Sequence, residues 1–391
     1  MTITIGYSPI YLNWTGSHAS PQRAAIALAH LQARADDGHF KMEVISPSTS
    51  KVNLDADRKR LKAVHDPDYI DALYSGTYPE HAGEQGFVAA MMFAGTRALV
   101  QRIDDTARTD GTLTPGVYFN PQGAKHHAAY DHTSGFCAIN DMAWAAHHFT
   151  EQGLRVAYLD WDAHHGDGVE ALTLENKSVL TASIHQWGIF PGTGRRSRPG
   201  KFAFNYPLYA GDGDAELLES VEDALELIAD FEPDILLMAI GADGHESDPL
   251  AGLKFTVDGF TKAAGLVGAF LNERGIPVLI GGAGGYQPFT YVPLVWAEVV
   301  TAIEDAQHPA WTMKDLADAT DLTEPDVLQE VMEERARRGA SKHRAWDETD
   351  RTSSTYSVGD EGVPDYTPKR RTKKSDTPAW EHTGKTKKGR R

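Results

Sequence analysis

Two short segments carry side chains suited to holding a metal ion. Asp162-x-His164 sets a carboxylate and an imidazole two positions apart, and Asp243 follows a separate apolar run. It becomes a third ligand if the two runs are neighbouring strands. Three nitrogen and oxygen donors leave one coordination position open to water, as in catalytic zinc centres. A structural zinc draws on several cysteines, and the chain has one, Cys137. Read alone, an Asp-x-His pair is more often a buried ion pair without metal. A calcium loop starting at Asp160 fails, because His165 stands where glycine is required and Ala171 where the closing glutamate is required.

The adjacent imidazoles of His126 and His127 can approach one reacting centre only from a non-helical loop. Asp160 and Asp167 suggest two Asp–His dyads, in which each carboxylate fixes a tautomer and raises imidazole basicity. Tyr286 follows a glycine-rich turn, Gly281-Gly-Ala-Gly-Gly, where absent side chains let a substrate approach the backbone. Its phenol suits hydrogen bonding to a developing oxyanion, and it equally suits packing over a tight turn. The turn is not a dinucleotide loop, since Gln287 stands where the third glycine belongs. No Gly-x-Ser-x-Gly elbow, phosphate loop or His-Glu-x-x-His helix is present, which lowers serine nucleophilic catalysis and phosphoryl transfer.

The elements that must position these groups are legible as apolar runs at Arg155–Asp160, Val179–Ser183, Ile235–Ile240 and Pro277–Ile280, with Thr2–Tyr7 a further strand. Helical patterns cover Ala89–Ile103, Asp141–Phe149, Ala215–Phe231 and Asp258–Glu273. Continuous apolar strands alternating with helices predict a single doubly wound α/β domain with a mostly parallel central sheet flanked by helices. Ligands of such sheets bind beyond the carboxyl ends of the strands, where the Asp160, Asp243 and Tyr286 segments fall.

With 391 residues and 41% hydrophobic content, the chain has material for a large core. A net charge of −17 argues against the body adhering to nucleic acid or anionic membrane, and suits either a cationic substrate or simple solubility. A lone cysteine, a start without a signal-peptide pattern and the absence of a long apolar segment predict a cytoplasmic protein. A catalytic domain is expected over residues 1–340 and a polar, basic, disordered tail over 341–391. Lys369, Arg370, Arg371, Lys373 and Lys374, then Lys385, Lys387, Lys388, Arg390 and Arg391, make that tail a candidate for an anionic partner or a plain solvated terminus. Oligomeric state is not legible.

Taken together, His126-His127, Ser134-Gly-Phe-Cys-Ala-Ile-Asn-Asp141, Asp160-Trp-Asp-Ala-His-His-Gly-Asp-Gly168, Phe190-Pro-Gly-Thr-Gly194, Gly241-Ala-Asp243 with Asp248-Pro249, and Gly284-Gly-Tyr286 closely resemble the histone deacetylase superfamily. The bacterial acetoin-utilization deacetylases look nearest, and the resemblance runs from about Tyr7 to Trp296. It implies an arginase/deacetylase-like fold and zinc on Asp162, His164 and Asp243, although iron(II) suits the same donors. It further implies acid–base roles for His126 and His127, orienting roles for Asp160 and Asp167, and carbonyl polarisation by Tyr286. A structural potassium ion is implied at Asp160, Asp162, His164 and Ser183. Phe136 and Phe190 match the aromatic walls of an acyl-lysine tunnel, with Gly135 and Leu250 beside them. Arg23, in His18-x-x-Pro21-x-Arg23, matches an arginine lining an acetate channel.

The resemblance thus predicts hydrolysis of acetyl-lysine in proteins, with an acetylpolyamine amidohydrolase or an inactive acyl-lysine binding module as alternatives. The chain departs from the family pattern at Lys125, where an apolar or aromatic residue is usual. The family's substrate-gripping rim aspartate has no clear counterpart, Glu80 being the nearest candidate.

Overall fold

Eight strands form one parallel sheet in the computed structural model, which describes residues 2–15, 20–48 and 50–306. His18 and residues 307–391, with the expected tail, lie outside the described residues. The strands are β1 (Thr2–Gly6), β2 (Lys41–Ile45), β3 (Val117–Asn120), β4 (Val156–Asp160), β5 (Val179–Gln186), β6 (Ala203–Leu208), β7 (Ile235–Ala239) and β8 (Val278–Gly281). Their order is β2-β1-β3-β8-β7-β4-β5-β6. The sheet is parallel throughout, and the strands at Lys41, Val117 and Ala203 were not evident from the sequence pattern.

Every residue of β4, β5, β7 and β8 is buried, as required of strands covered on both faces. Along β4 the side chains alternate between two cores. Ala157 and Leu159 join one that includes Trp161, Phe260 and Trp296, whereas Val156 and Tyr158 join another that includes Phe93, Met142 and Trp144. The first is covered by α1 (Gln22–Asp36), α7 (Asp214–Phe231), α8 (Val257–Arg274) and α9 (Tyr291–Ala306). The second is covered mainly by α3 (Pro67–Ser75), α4 (Glu84–Asp105) and α5 (Asp141–Glu151). The remaining helices are α2 (Lys51–Leu61) and α6 (Asp167–Thr173).

Connectivity makes a crevice at the centre of the sheet. After β4 the chain moves to β5 on one side, and after β7 it moves to β8 on the other, although β4 and β7 are paired with Asp160 opposite Ala239. Connections that leave adjacent strands in opposite directions open a gap at their carboxyl ends, the usual ligand site of such sheets. The four central strands β3, β8, β7 and β4 therefore deliver their carboxyl-terminal loops to one place.

Candidate active site

The four loops carry the side chains singled out above. β3 leads to His126 and His127, β8 to Tyr286, β7 to Asp243, and β4 to Asp160, Asp162 and His164. The ligating atoms of Asp162, His164 and Asp243 all lie within 4.8 Å of one another, and all three residues are buried. Backbone groups orient the carboxylates: Gly284 N donates to Asp162 Oδ2 at 2.6 Å, and Ala163 N donates to Asp243 Oδ1 at 2.8 Å. A Cβ on Gly284 would stand 2.3 Å from Asp243 Oδ2, so only glycine lets this turn close over the carboxylates.

The electrostatics of this cluster call for a cation. His164 Nδ1 lies 3.2 Å from Asp162 Oδ1 and 2.9 Å from Asp243 Oδ2. Burial alone would lower the imidazole pKa, but the two carboxylates raise it to about 11, holding a proton between them. Burial and the neighbouring Asp162 push Asp243 up, while the surrounding histidines outweigh burial and hold Asp162 down. Two buried carboxylates and one imidazole competing for a single positive charge make a donor set that fits a divalent metal ion.

The histidine pair sits beside this cluster in two separate dyads. His126 Nδ1 is 2.7 Å from Asp160 Oδ2, and His127 Nδ1 is 2.7 Å from Asp167 Oδ1. The rings are 3.9 Å apart between centroids, with His127 6.1 Å from the His164 ring. Burial opposes protonation of both. At His126 the charges of Asp160 and Asp162 prevail and raise the pKa to about 9, whereas burial and the His126 charge push His127 down to about 4. The pair is split into a charged and a neutral imidazole, which separates their possible roles. The Tyr286 ring lies 6.3 Å from the His164 ring, and burial followed by the nearby Asp243 and Asp162 keeps its phenol protonated.

Phe136 and Phe190 are 39% and 49% exposed, consistent with an entrance, and each is in ring contact with the site, Phe136 with Tyr286 and Phe190 with His127. Gly135 lies between them with φ +50°, and a Cβ there would approach His127 Cδ2 to 2.3 Å and Phe190 Cε1 to 2.9 Å. Gly135→Ala is therefore expected to displace His127 and lower kcat/KM on the order of a hundredfold, measured by steady-state assay. Its strained backbone should cost about 1–2 kcal/mol in denaturant unfolding. Leu250 is also exposed, on the turn whose Asp248 accepts from Leu250 N and from Tyr286 N. Glu80 is exposed on a short 3-10 turn, Pro79–His81. Ser183 pairs in register with Asp160, and Arg23 is buried against the turn before Tyr286, donating to Gly285 O at 2.7 Å.

Several positioning residues escaped the sequence reading. Tyr158 donates to Asp160 Oδ2 at 2.6 Å, and Asp141 accepts from the backbone of Ala124 and Lys125, anchoring the loop before the histidine pair. His65 accepts from Asn140 N through Nε2 and donates through Nδ1 to Ala129 O at 2.8 Å, tying down the loop after the pair. The strand period of Tyr158 to Asp160 was a usable signal; the loop anchors had none, because their partners are distant in sequence.

Burial lowers the pKa of His65 to about 4, well below its unfolded value near 6.5. Its contribution to stability is undiminished above pH 6.5 and is lost as pH falls toward 4, because only the unfolded chain takes up the proton. His65→Gln is expected to remove about 1.4 kcal/mol per pH unit of destabilisation across that window. Denaturant unfolding at pH 7, 6 and 5 measures it; an unchanged slope would place His65's charge state elsewhere.

The chain that carries this arrangement has counterparts among known proteins. Residues 17–303 match the histone deacetylase domain family model. The chain is 32% identical over 344 residues to the acetoin utilization protein AcuC of Bacillus subtilis (strain 168), covering 79% of this chain and 85% of that one. It is 32% identical over 229 residues to histone deacetylase 8 of Xenopus laevis, covering 56% and 67% of the two chains. The solved structure of the HDA15 HD domain superimposes with a TM-score of 0.64 at 22% identity, covering 86% of this chain and 98% of that one, so the fold is shared. A match across most of the chain, together with the fold, shows that this protein belongs to the histone deacetylase family and is a hydrolase of that family.

Proposed function

We propose that this hydrolase removes acetyl groups from acetyl-lysine side chains of proteins, releasing acetate, with zinc held by Asp162, His164 and Asp243. The observation that carries the reading is the convergence of that donor set with a split histidine pair and a protonated tyrosine around one point. The chemistry a zinc ion supplies when bound there is Lewis acidity, polarising a carbonyl and acidifying water.

The chain's own groups do the rest. Phe136 and Phe190 flank the apolar lysine stem and keep water from the amide. His127, neutral and oriented by Asp167, takes the proton of the attacking water, while His126, oriented by Asp160, supplies positive charge beside the reaction. Tyr286 donates to the carbonyl oxygen as it gains charge. The C–N bond then breaks, and the proton held by His127 passes to the departing amine.

A structural potassium ion is assigned to Asp160, Asp162, His164 and Ser183, where the register of β4 and β5 brings carboxylate and hydroxyl together. The catalytic unit is assigned to residues 1–340, and the basic tail to an anionic partner. No described helix is long and apolar enough to cross a membrane. The buried free thiol of Cys137 favours a reducing, cytoplasmic setting.

Zinc- and iron(II)-loaded protein should release acetate from an acetyl-lysine peptide. Parallel assays on acetylated spermidine and putrescine test the acetylpolyamine alternative. A higher kcat/KM on the polyamines would overturn the protein-substrate assignment, and absence of metal-dependent release from any of them would leave only a binding module.

A further inference from the structure

The cavity lined by His127, Gly135, Phe136 and Tyr286 has other walls that the hydrolysis described above does not use. Its polar ones include Arg23, Gln122 and Lys125. All three present hydrogen-bond donors. Arg23 is 1% exposed; it gives Nη1 to Gly285 O at 2.7 Å and stacks on Trp296 at 4.8 Å, while its Nε has no partner among the described residues. Lys125 is half-buried and donates through Nζ to Gln122 Oε1 at 3.3 Å. An ammonium only donates, so this contact fixes the carbonyl of the Gln122 amide toward it and turns Nε2 away. That Nε2 is likewise buried without a described partner, in a residue 1% exposed.

Neither cation has a carboxylate among its described side-chain partners. Burial and the charge of Arg23 lower the Lys125 pKa to about 8, which leaves the ammonium protonated at neutral pH. Two cations and an amide donor line this cavity, and no carboxylate side chain is among its lining residues. An acetyl methyl offers no acceptor, whereas a carboxylate accepts several hydrogen bonds, and strongly so from cations shielded from water.

We propose that Lys125, with Arg23 and Gln122, binds the carboxylate end of a substrate acyl group, so that this enzyme hydrolyses carboxyl-ended acyl-lysines such as malonyl- or succinyl-lysine. The proposal rests on the deacylase reading above and refines its acyl specificity. With the lysine stem at Phe136 and Phe190 and the carbonyl at Tyr286, acyl carbons beyond the carbonyl meet the remaining walls of the cavity. Water adds to the amide carbonyl, the C–N bond breaks and the nitrogen takes a proton, yielding lysine and malonate or succinate.

The test uses the full-length, metal-loaded protein and one peptide carrying acetyl-, propionyl-, butyryl-, malonyl- or succinyl-lysine. Propionyl and butyryl match malonyl and succinyl with a methyl in place of the carboxylate. The wild-type kcat/KM is expected to favour at least one carboxyl-ended chain over its neutral match by tenfold or more, and Lys125→Met to erase that preference. Equal or better hydrolysis of both neutral chains by the wild type overturns the proposal without needing a variant, as does an unchanged ratio in a folded Lys125→Met or Lys125→Gln protein. Acetyl hydrolysis with no carboxyl-ended turnover overturns the specificity alone. Failure on all five peptides overturns the deacylase reading as well.

Discussion

Replacing Asp243 is expected to abolish metal-dependent hydrolysis while leaving the fold in place. Asp243 is fully buried, and its Oδ2 shares the His164 imidazole with Asp162. On the proposed metal site, losing one of three donors would remove the polarising cation, an effect worth several kcal/mol, or on the order of a thousandfold in turnover. Asp243→Asn is the informative change, because its carbonyl can still accept from Ala163 N, whereas Asp243→Ala orphans that buried N–H at about 1–3 kcal/mol.

Stability gives a second readout with its own sign. Without metal, Asp162 and Asp243 repel, which helps to hold the Asp243 pKa up. Neutralising position 243 should therefore leave the metal-free protein as stable as the wild type or more so. Zinc should raise the Tm of the wild type through preferential binding to the folded state, and should raise that of Asp243→Asn far less. Calorimetry with and without a chelator measures both effects. Equal zinc stabilisation of the two proteins would move the metal away from this site.

Tyr286→Phe is expected to lower kcat on the order of a hundredfold with little change in KM, the signature of a donor engaged chiefly in the transition state. The phenol makes no hydrogen bond with any described residue, so deleting it leaves no protein group unpaired. The backbone N–H of residue 286 keeps its bond to Asp248 Oδ2 at 3.1 Å, which preserves the turn. Because burial and the two carboxylates hold the phenol protonated, an alkaline limb in the wild-type rate profile should persist in the variant. Wild-type turnover by Tyr286→Phe would remove Tyr286 from the chemistry.

The central strands were legible because they are buried on both faces and read as unbroken apolar runs, as in Ile235–Ala239. The missed strands lack that signal. Lys41–Ile45 is an edge strand with exposed and half-buried positions, Ala203–Leu208 is the opposite edge and includes Asn205 and Pro207, and Val117–Asn120 has four residues. Each depends on pairing with a neighbour more than on its own pattern.

By itself the sequence determined which side chains were available and the local frames that hold them: Asp162 beside His164 after a buried strand, two adjacent histidines in a loop, and Tyr286 after a glycine turn. Only the tertiary structure decided who faces whom. Strand order put β4 against β7 and so brought together Asp162 and Asp243, which are 81 positions apart in the sequence. It also assigned Asp160 to His126 and Asp167 to His127, and set Lys125 and Gln122 in one cavity with Arg23 from a distant helix. Side-chain chemistry and periodicity are local and can be read along the chain. Neighbours across a sheet follow from how all the apolar faces are buried at once, which no single segment specifies.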